Sequence, residues 1–259
     1  MKTISNIPYI SDAFYEHEKR IWRTAWLVAG RASDLDEAGK FITLDLSAIN
    51  VSVFVVRDSA GKLNAFHNIC SHRNGRLVCD YQGKKAAITR RYHGWTFQLD
   101  GKLRGIPEQH LFPDINKNDY SLMPVSVDTW GGFVFVNLNS TPECTLDPNL
   151  LLFIGADVLT IMISWRRNAH EAEWEIDWFH KDKLRNFGNL FIREQGRLAT
   201  RNALTEDWPV VEWAHENMRT GLIDKSTIGS EMEATVWAHY IKLLQHLNLS
   251  EDGLQNEYA

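Results

Sequence analysis

The sequence predicts an α+β protein, with an antiparallel β domain in its first half and a mixed domain whose helices gather toward the carboxy terminus. Three observations predict it. Between Trp26 and Leu138 the apolar residues fall in short or alternating runs broken by turn signals such as Ser59-Ala60-Gly61 and Asp100-Gly101, the texture of many short strands. After Ser140 the chain passes Thr141-Pro142 and Asp147-Pro148 into two apolar runs and one alternating run, which read as strands again. From Thr205 onward the apolar spacing becomes helical.

Taken in order, Ser11 caps a short helix carrying Phe14, Ile21, Trp22 and Trp26. The strand candidates of the first domain are Phe41–Leu46, Val51–Val56, Trp95–Leu99 and Phe133–Leu138. Asp100-Gly101 marks a hairpin in which both turn positions need positive φ, and Trp130-Gly131-Gly132 marks a second. Leu150–Ile154 and Val158–Trp165 are the next strands, followed by the alternating run that ends near Phe179. Thr205-Glu206-Asp207 opens a helix with Trp208, Val211, Ala214, Met218 and Leu222 on one stripe and Gly221 near its stop. Ser230 and Glu233 form the capping box of a last helix striped by Trp237, Ile241, Leu244 and Leu247. The polar, acidic end is expected to fray. The domain reading is therefore a helix over 1–25, a β domain over 26–140, a second domain over 141–250 and a tail over 251–259.

At 259 residues, 44% hydrophobic and 24% charged, the chain is ordinary globular material for two modest domains. A net charge of -5 and a pI near 6.1 give no broad positive field for nucleic acid or anionic lipid, and Lys84-Lys85 with Arg90-Arg91 read as a solvated basic spot. The stretch Met1 to Arg20 does not read as a signal peptide. Leu150 to Ile163, interrupted by Asp157, falls short of the ~20 residues of a membrane helix. Three cysteines, Cys70, Cys79 and Cys144, are too few for a disulfide scaffold. The expectation is a cytoplasmic protein whose thiols serve another purpose.

The segment that carries chemistry is Cys70-Ser71-His72-Arg73-Asn74-Gly75-Arg76-Leu77, followed after an arm by Arg90-Arg91-Tyr92-His93-Gly94-Trp95. This pair resembles the Rieske signature, in which one loop offers Cys-x-His and the other Cys-x-x-His. Two thiolates hold one iron of a 2Fe-2S cluster and two imidazoles the other, and imidazole ligation raises the potential. The resemblance maps Cys70 and His72 onto the first pair and His93 onto the last ligand. Arg90 stands where the remaining cysteine is expected. Its guanidinium offers donors only and no lone pair for iron. Cys79, on the arm between the loops, is the one nearby thiol that could replace it, and only with a rearranged second loop. Cys79, Cys144, His67, His110, His170, His180 and His239 fit no ligand spacing and read as core or surface residues.

More widely, the chain resembles the large subunit of a Rieske-type ring-hydroxylating oxygenase, from its opening helix through Trp130-Gly131-Gly132-Phe133-Val134-Phe135 to its last helices. That likeness implies a helix-grip-like catalytic domain, a curved sheet around a long helix, with two histidines and a carboxylate holding non-haem Fe(II). It implies O2-dependent hydroxylation of an aromatic or other small organic substrate. Electrons would come from a ferredoxin or reductase, and the subunits would assemble in a trimer-like way. Here Val136-Asn137-Leu138-Asn139 runs almost directly to Asp147-Pro148-Asn149-Leu150, and no stretch with a His followed some five residues later by another His intervenes. The carboxylate ligand is expected to survive as Asp207; alone, it reads as a charge in the first turn of a helix. Two readings follow. One is an oxygenase with a cluster at Cys70, His72, His93 and a fourth ligand, or its reduced form, an electron-transfer protein. The other, favoured by losses at both metal sites, is a non-catalytic homologue that at most assembles with a full-length subunit. Substrate identity is not legible, and Trp165, Trp174, Trp178 and Trp208 are expected on exposed faces.

Overall fold

The computed structural model of the chain describes residues 2–142, 151–154, 158–180, 184–229 and 233–258. The elements run β1 (Lys2–Ser5), α1 (Ile7–Ile10), α2 (Asp12–Thr24), β2 (Leu27–Arg31), β3 (Lys40–Leu46), β4 (Val51–Arg57), β5 (Leu63–His67), β6 (Gln82–Lys84), β7 (Ile88–Thr89), β8 (Thr96–Phe97), β9 (Leu103–Gly105), β10 (Pro124–Trp130) and β11 (Phe133–Asn137). They continue with β12 (Leu151–Ile154), β13 (Val158–Arg166), β14 (Ala172–His180), α3 (Phe187–Arg219), β15 (Lys225–Ile228), α4 (Ala234–His246) and α5 (Glu251–Tyr258). This is the expected α+β architecture. The chain forms two compact units, one of residues 22–149 and one of residues 1–21 with 150–259.

The first unit is all β. A seven-stranded antiparallel sheet has the order β2-β11-β10-β5-β4-β3-β6, and a small sheet has the order β7-β8-β9. Trp130 pairs with Phe133 across a two-residue turn in which Gly131 and Gly132 both have positive φ, as expected. The Asp100 turn differs from expectation. Gln98 N–H donates to Lys102 at 2.8 Å and only Gly101 has positive φ, so the loop holds three residues rather than two. A Cβ at Gly101 would lie 2.4 Å from the Phe66 ring, so close packing as well as φ requires glycine there. The core gathers Phe41, Phe54, Phe66, Ile88, Trp95, Phe97 and Leu103 around the connections β5–β6 and β7–β8. Those two connections carry the motif.

In the other unit β12-β13-β14 form an antiparallel sheet, and β1 pairs with β15. Ser11 caps α2 as expected, its Oγ accepting from Phe14 N–H at 3.3 Å. The long helix is α3, and here the sequence misleads. Thr205-Glu206-Asp207 does not open it; Asn186 does, its side chain accepting from Asn189 N–H. Thr205 sits in mid-helix with its hydroxyl donating to Arg201 O at 2.8 Å, so a residue type favoured at N-caps is accommodated inside a continuous helix. Asp207 therefore lies in mid-helix and is exposed, away from the first turn. Gly221 does follow the helix end, with φ +69°. α4 begins at Ala234 with Glu233 as its N-cap and no side-chain cap bond, and Ser230 lies outside the described residues, as does Cys144. Residues 251–258 form α5 rather than fraying, because Leu254 is fully buried with Phe14, Tyr240 and Leu244. No residue of α3 is buried, and Trp174 and Trp208 are exposed as expected, whereas Trp165 and Trp178 are partly covered. Among the described residues no helix is long and apolar enough to cross a membrane.

Candidate functional site

The two motif loops are built on one backbone plan. In the first, Cys70 N–H donates to Gly75 O at 2.8 Å and Asn74 N–H to Cys70 O at 2.9 Å. In the second, Arg90 N–H donates to Trp95 O at 2.9 Å and Gly94 N–H to Arg90 O at 3.0 Å. The fifth residue of each has positive φ, +52° at Asn74 and +67° at Gly94. Glycine and asparagine are the residue types that reach this region most readily. Position 70 is thus the structural counterpart of position 90, and the correspondence sets Arg90 opposite the buried Cys70.

The neck of the first loop is held by Asn68, which is 1% exposed. Its Oδ1 accepts from Leu77 N–H at 3.2 Å and Val78 N–H at 2.9 Å, while its Nδ2 donates to Val78 O at 2.7 Å and to Ser52 Oγ at 3.1 Å. Arg76 braces the outside, with both Asp45 oxygens at 2.9 Å and Val78 O at 2.8 Å. In the second loop Gly94 meets Pro107, whose Cγ would lie 2.6 Å from an added Cβ.

Between the loops the His72 and His93 rings meet edge to face with centroids 4.7 Å apart, and Trp95 stacks on His72 at 4.6 Å. Nδ1 of each histidine and Nη1 of Arg90 are buried with no hydrogen-bond partner. Burial, then His93 and the guanidinium groups of Arg73 and Arg90, holds the His72 imidazole below its ordinary range. Burial, then Arg90 and Arg73, does the same to His93. Both rings thus favour the neutral form, the one that can ligate a metal.

A Rieske cluster on these loops would need two thiolates and two neutral imidazoles. Cys70 and the two inward-facing, unpartnered imidazole nitrogens fit three of the four positions. Arg90 does not fit the fourth: its guanidinium lies against Gly75 of the first loop, 2.6 Å from where a Cβ there would stand, and brings fixed positive charge in place of a thiolate. Cys79 lies beyond the Asn68 clamp on the arm and is exposed, whereas Cys70 is buried. The residues present do not complete the cluster site.

Comparison with known proteins agrees with the geometry. The "Rieske [2Fe-2S] domain" family matches residues 25–116, and the "Ring hydroxylating alpha subunit (catalytic domain)" family matches residues 75–248. The chain belongs to this family. It is 33% identical over 200 residues to a choline monooxygenase of Atriplex hortensis, a match covering 67% of this chain and 44% of that protein. To the glycine betaine monooxygenase oxygenase subunit of Pseudomonas aeruginosa it is 36% identical over 129 residues, covering 50% of this chain and 29% of the relative. The chain spans less than half the length of these curated relatives. A solved quaternary ammonium Rieske monooxygenase, CntA with γ-butyrobetaine, superposes with a TM-score of 0.73 at 20% identity, covering 86% of this chain and 87% of that one, and shares its fold.

Asp207, the remaining expected ligand, has no histidine pair beside it. Among the described residues no group of three or more His, Cys, Asp and Glu is placed to hold one metal ion. Sequence reading missed Asn68, whose role appears only when the loop folds back on it, and His215. His170 Nδ1 and His215 Nε2 lie 3.2 Å apart although the residues are distant in sequence, so no local spacing could signal them.

Proposed function

We propose that this chain is a non-catalytic member of the oxygenase alpha-subunit family, a scaffold that at most assembles with a full-length subunit. The observation that carries this reading is Arg90, which occupies the counterpart of Cys70 in a loop otherwise matched to it bond for bond. A second loss supports it: no pair of histidines some five residues apart stands between the β domain and the strands that follow, leaving Asp207 alone in mid-helix. By the names of its relatives, which are choline, glycine betaine and carnitine monooxygenases, its ancestral substrate is a quaternary ammonium compound rather than an aromatic ring. The family's electron donor, a ferredoxin or reductase, has no complete cluster to reduce here, and no step of catalysis is assigned to Cys70, His72 or His93. A cytoplasmic location and the absence of nucleic-acid or membrane partners belong to the same reading.

The test is iron and acid-labile sulfide per chain after anaerobic purification, with Arg90→Cys beside it. We expect neither in the unmodified chain and about two of each in Arg90→Cys, the content of a 2Fe-2S cluster. Two irons and two sulfides in the unmodified chain would overturn the proposal and favour an electron-transfer protein with Cys79 or an outside ligand completing the site.

A further inference from the structure

A second histidine pair lies far from the motif in sequence, in the unit formed by residues 1–21 and 150–259. His170 sits in the turn joining β13 to β14. Its backbone is fixed there: Arg167 N–H donates to Glu171 O at 2.8 Å, and His170 N–H donates to Asn168 Oδ1 at 2.7 Å. His215 comes from α3. The rings meet at a tilt of 61° with His170 Nδ1 and His215 Nε2 3.2 Å apart, and Asp12 Oδ1 stands 3.8 Å from the other nitrogen of His170.

We propose that His170 and His215 clamp a borderline divalent transition ion of the zinc class, with Asp12 as a positioning residue for His170. Two imidazole nitrogens each ~2.05 Å from one zinc and 3.2 Å from each other subtend about 100° at the metal, close to the tetrahedral angle. The nitrogens already face each other, so small ring rotations bring both lone pairs onto the ion. A carboxylate on the outer nitrogen of a ligating histidine fixes its tautomer and orientation, and Asp12 is on that side. Arg219 and Arg166 bring positive charge near His215; Arg166 is held by Glu18 at 2.6 Å, and Glu216 sets a negative charge near the same ring. With only two protein ligands among the described residues, water completes the shell. Imidazole without thiolate favours zinc, nickel or copper over calcium or magnesium. The site shares no residue with the cluster loops, so it stands whether or not they hold iron.

The experiment is a zinc titration of the full chain by calorimetry in a non-coordinating buffer. We expect one ion per chain with a dissociation constant of about 1–100 µM, of the order a two-imidazole site can give. His170→Ala and His215→Ala should each weaken it more than tenfold, and the double variant should be no worse than either single one. Asp12→Asn should weaken it severalfold with the stoichiometry kept and Asp12→Glu should restore it, whereas His239→Ala on α4 should leave it unchanged. Both histidines are at least partly exposed, and circular dichroism of each variant checks that the fold is intact. Zinc bound equally by the double variant, or lost on Cys70→Ser and kept on His170→Ala, would overturn the assignment. So would no saturable binding at all.

Discussion

The two motif loops share backbone hydrogen bonds and a positive-φ fifth residue, yet carry different side chains, most consequentially Cys70 against Arg90 at the first position and Gly75 against Trp95 at the sixth. The backbone plan of these loops therefore does not depend on which side chain stands at the first position. The turn is specified by local bonds and by packing on the β core, neither of which needs the fourth ligand. Iron binding would add folding free energy to such loops; Asn68, Arg76 and Trp95 can hold them without it.

The sharpest way to break the comparison is to remove that support. Trp95 is 2% exposed, stacks on His72 and meets Phe112 and Tyr120 edge to face, whereas its counterpart Gly75 brings no side chain. Trp95→Ala should cost about 3–5 kcal/mol in urea unfolding, the range for emptying a large core site. A cost under about 1 kcal/mol would mean that the second loop is not anchored by this ring. Asn68→Ala leaves the Leu77 and Val78 N–H groups without their acceptor and Val78 O with Arg76 alone, and should cost about 2–4 kcal/mol, with hydrogen exchange accelerating first at Leu77 and Val78.

The fifth residues separate strain from packing. Gly94→Ala forces a side chain into φ +67° and into Pro107, and should cost about 1–3 kcal/mol. Asn74→Gly, at φ +52°, needs no such clash and should change stability by less than about 0.5 kcal/mol in either direction. Equal effects at the two positions would deny that the loops are alike in backbone and unlike in surroundings.

Titration acts on both loops together. His72 and His93 are held below their ordinary range by burial and by neighbouring positive charge, so the unfolded chain takes up their protons first. The stability given by the neutral rings is fully present above the unfolded imidazole value of ~6.5 and is lost as pH falls through it toward the lower folded values. Urea midpoints at pH 7.5 and 5.5 should therefore diverge in the unmodified chain and move closer in His72→Gln/His93→Gln. An unchanged gap would show that the two rings do not carry the effect.

Much of this was legible from local signals. Alternation and turn residues gave β3, β4 and β11, the Trp130-Gly131-Gly132 sequence gave the tight hairpin, and Cys70, His72 and His93 could be singled out because they fall in two short motifs on two loops. What stayed hidden depends on distance or context. The start of α3 lies well before Thr205, whose hydroxyl bonds to Arg201 O inside the helix instead of capping an end, a choice its residue type does not disclose. α5 exists because Leu254 finds Phe14 and Tyr240, which no property of an acidic tail announces. Asn68 and the pairing of His170 with His215 join residues that only the fold makes neighbours.

The smallest effect tests the comparison most closely. Gly75 faces the Arg90 guanidinium, whose Nη2 and Cζ would lie 2.6 and 2.9 Å from an added Cβ. The atoms in the way are the far end of a flexible side chain, so Gly75→Ala should cost less than about 1 kcal/mol, with Arg90 swinging aside. In an Arg90→Cys background the obstruction is gone, and the same change should cost nearly nothing when no iron is supplied. The difference between the two costs is the coupling of the loops through Arg90, read directly from a double-mutant cycle. A coupling of a few tenths of a kcal/mol with the sign of relieved crowding supports Arg90 as the side chain that now fills the space between the loops. A coupling of zero would mean that Arg90 does not crowd Gly75 in solution, and that the two loops keep their common shape without that contact.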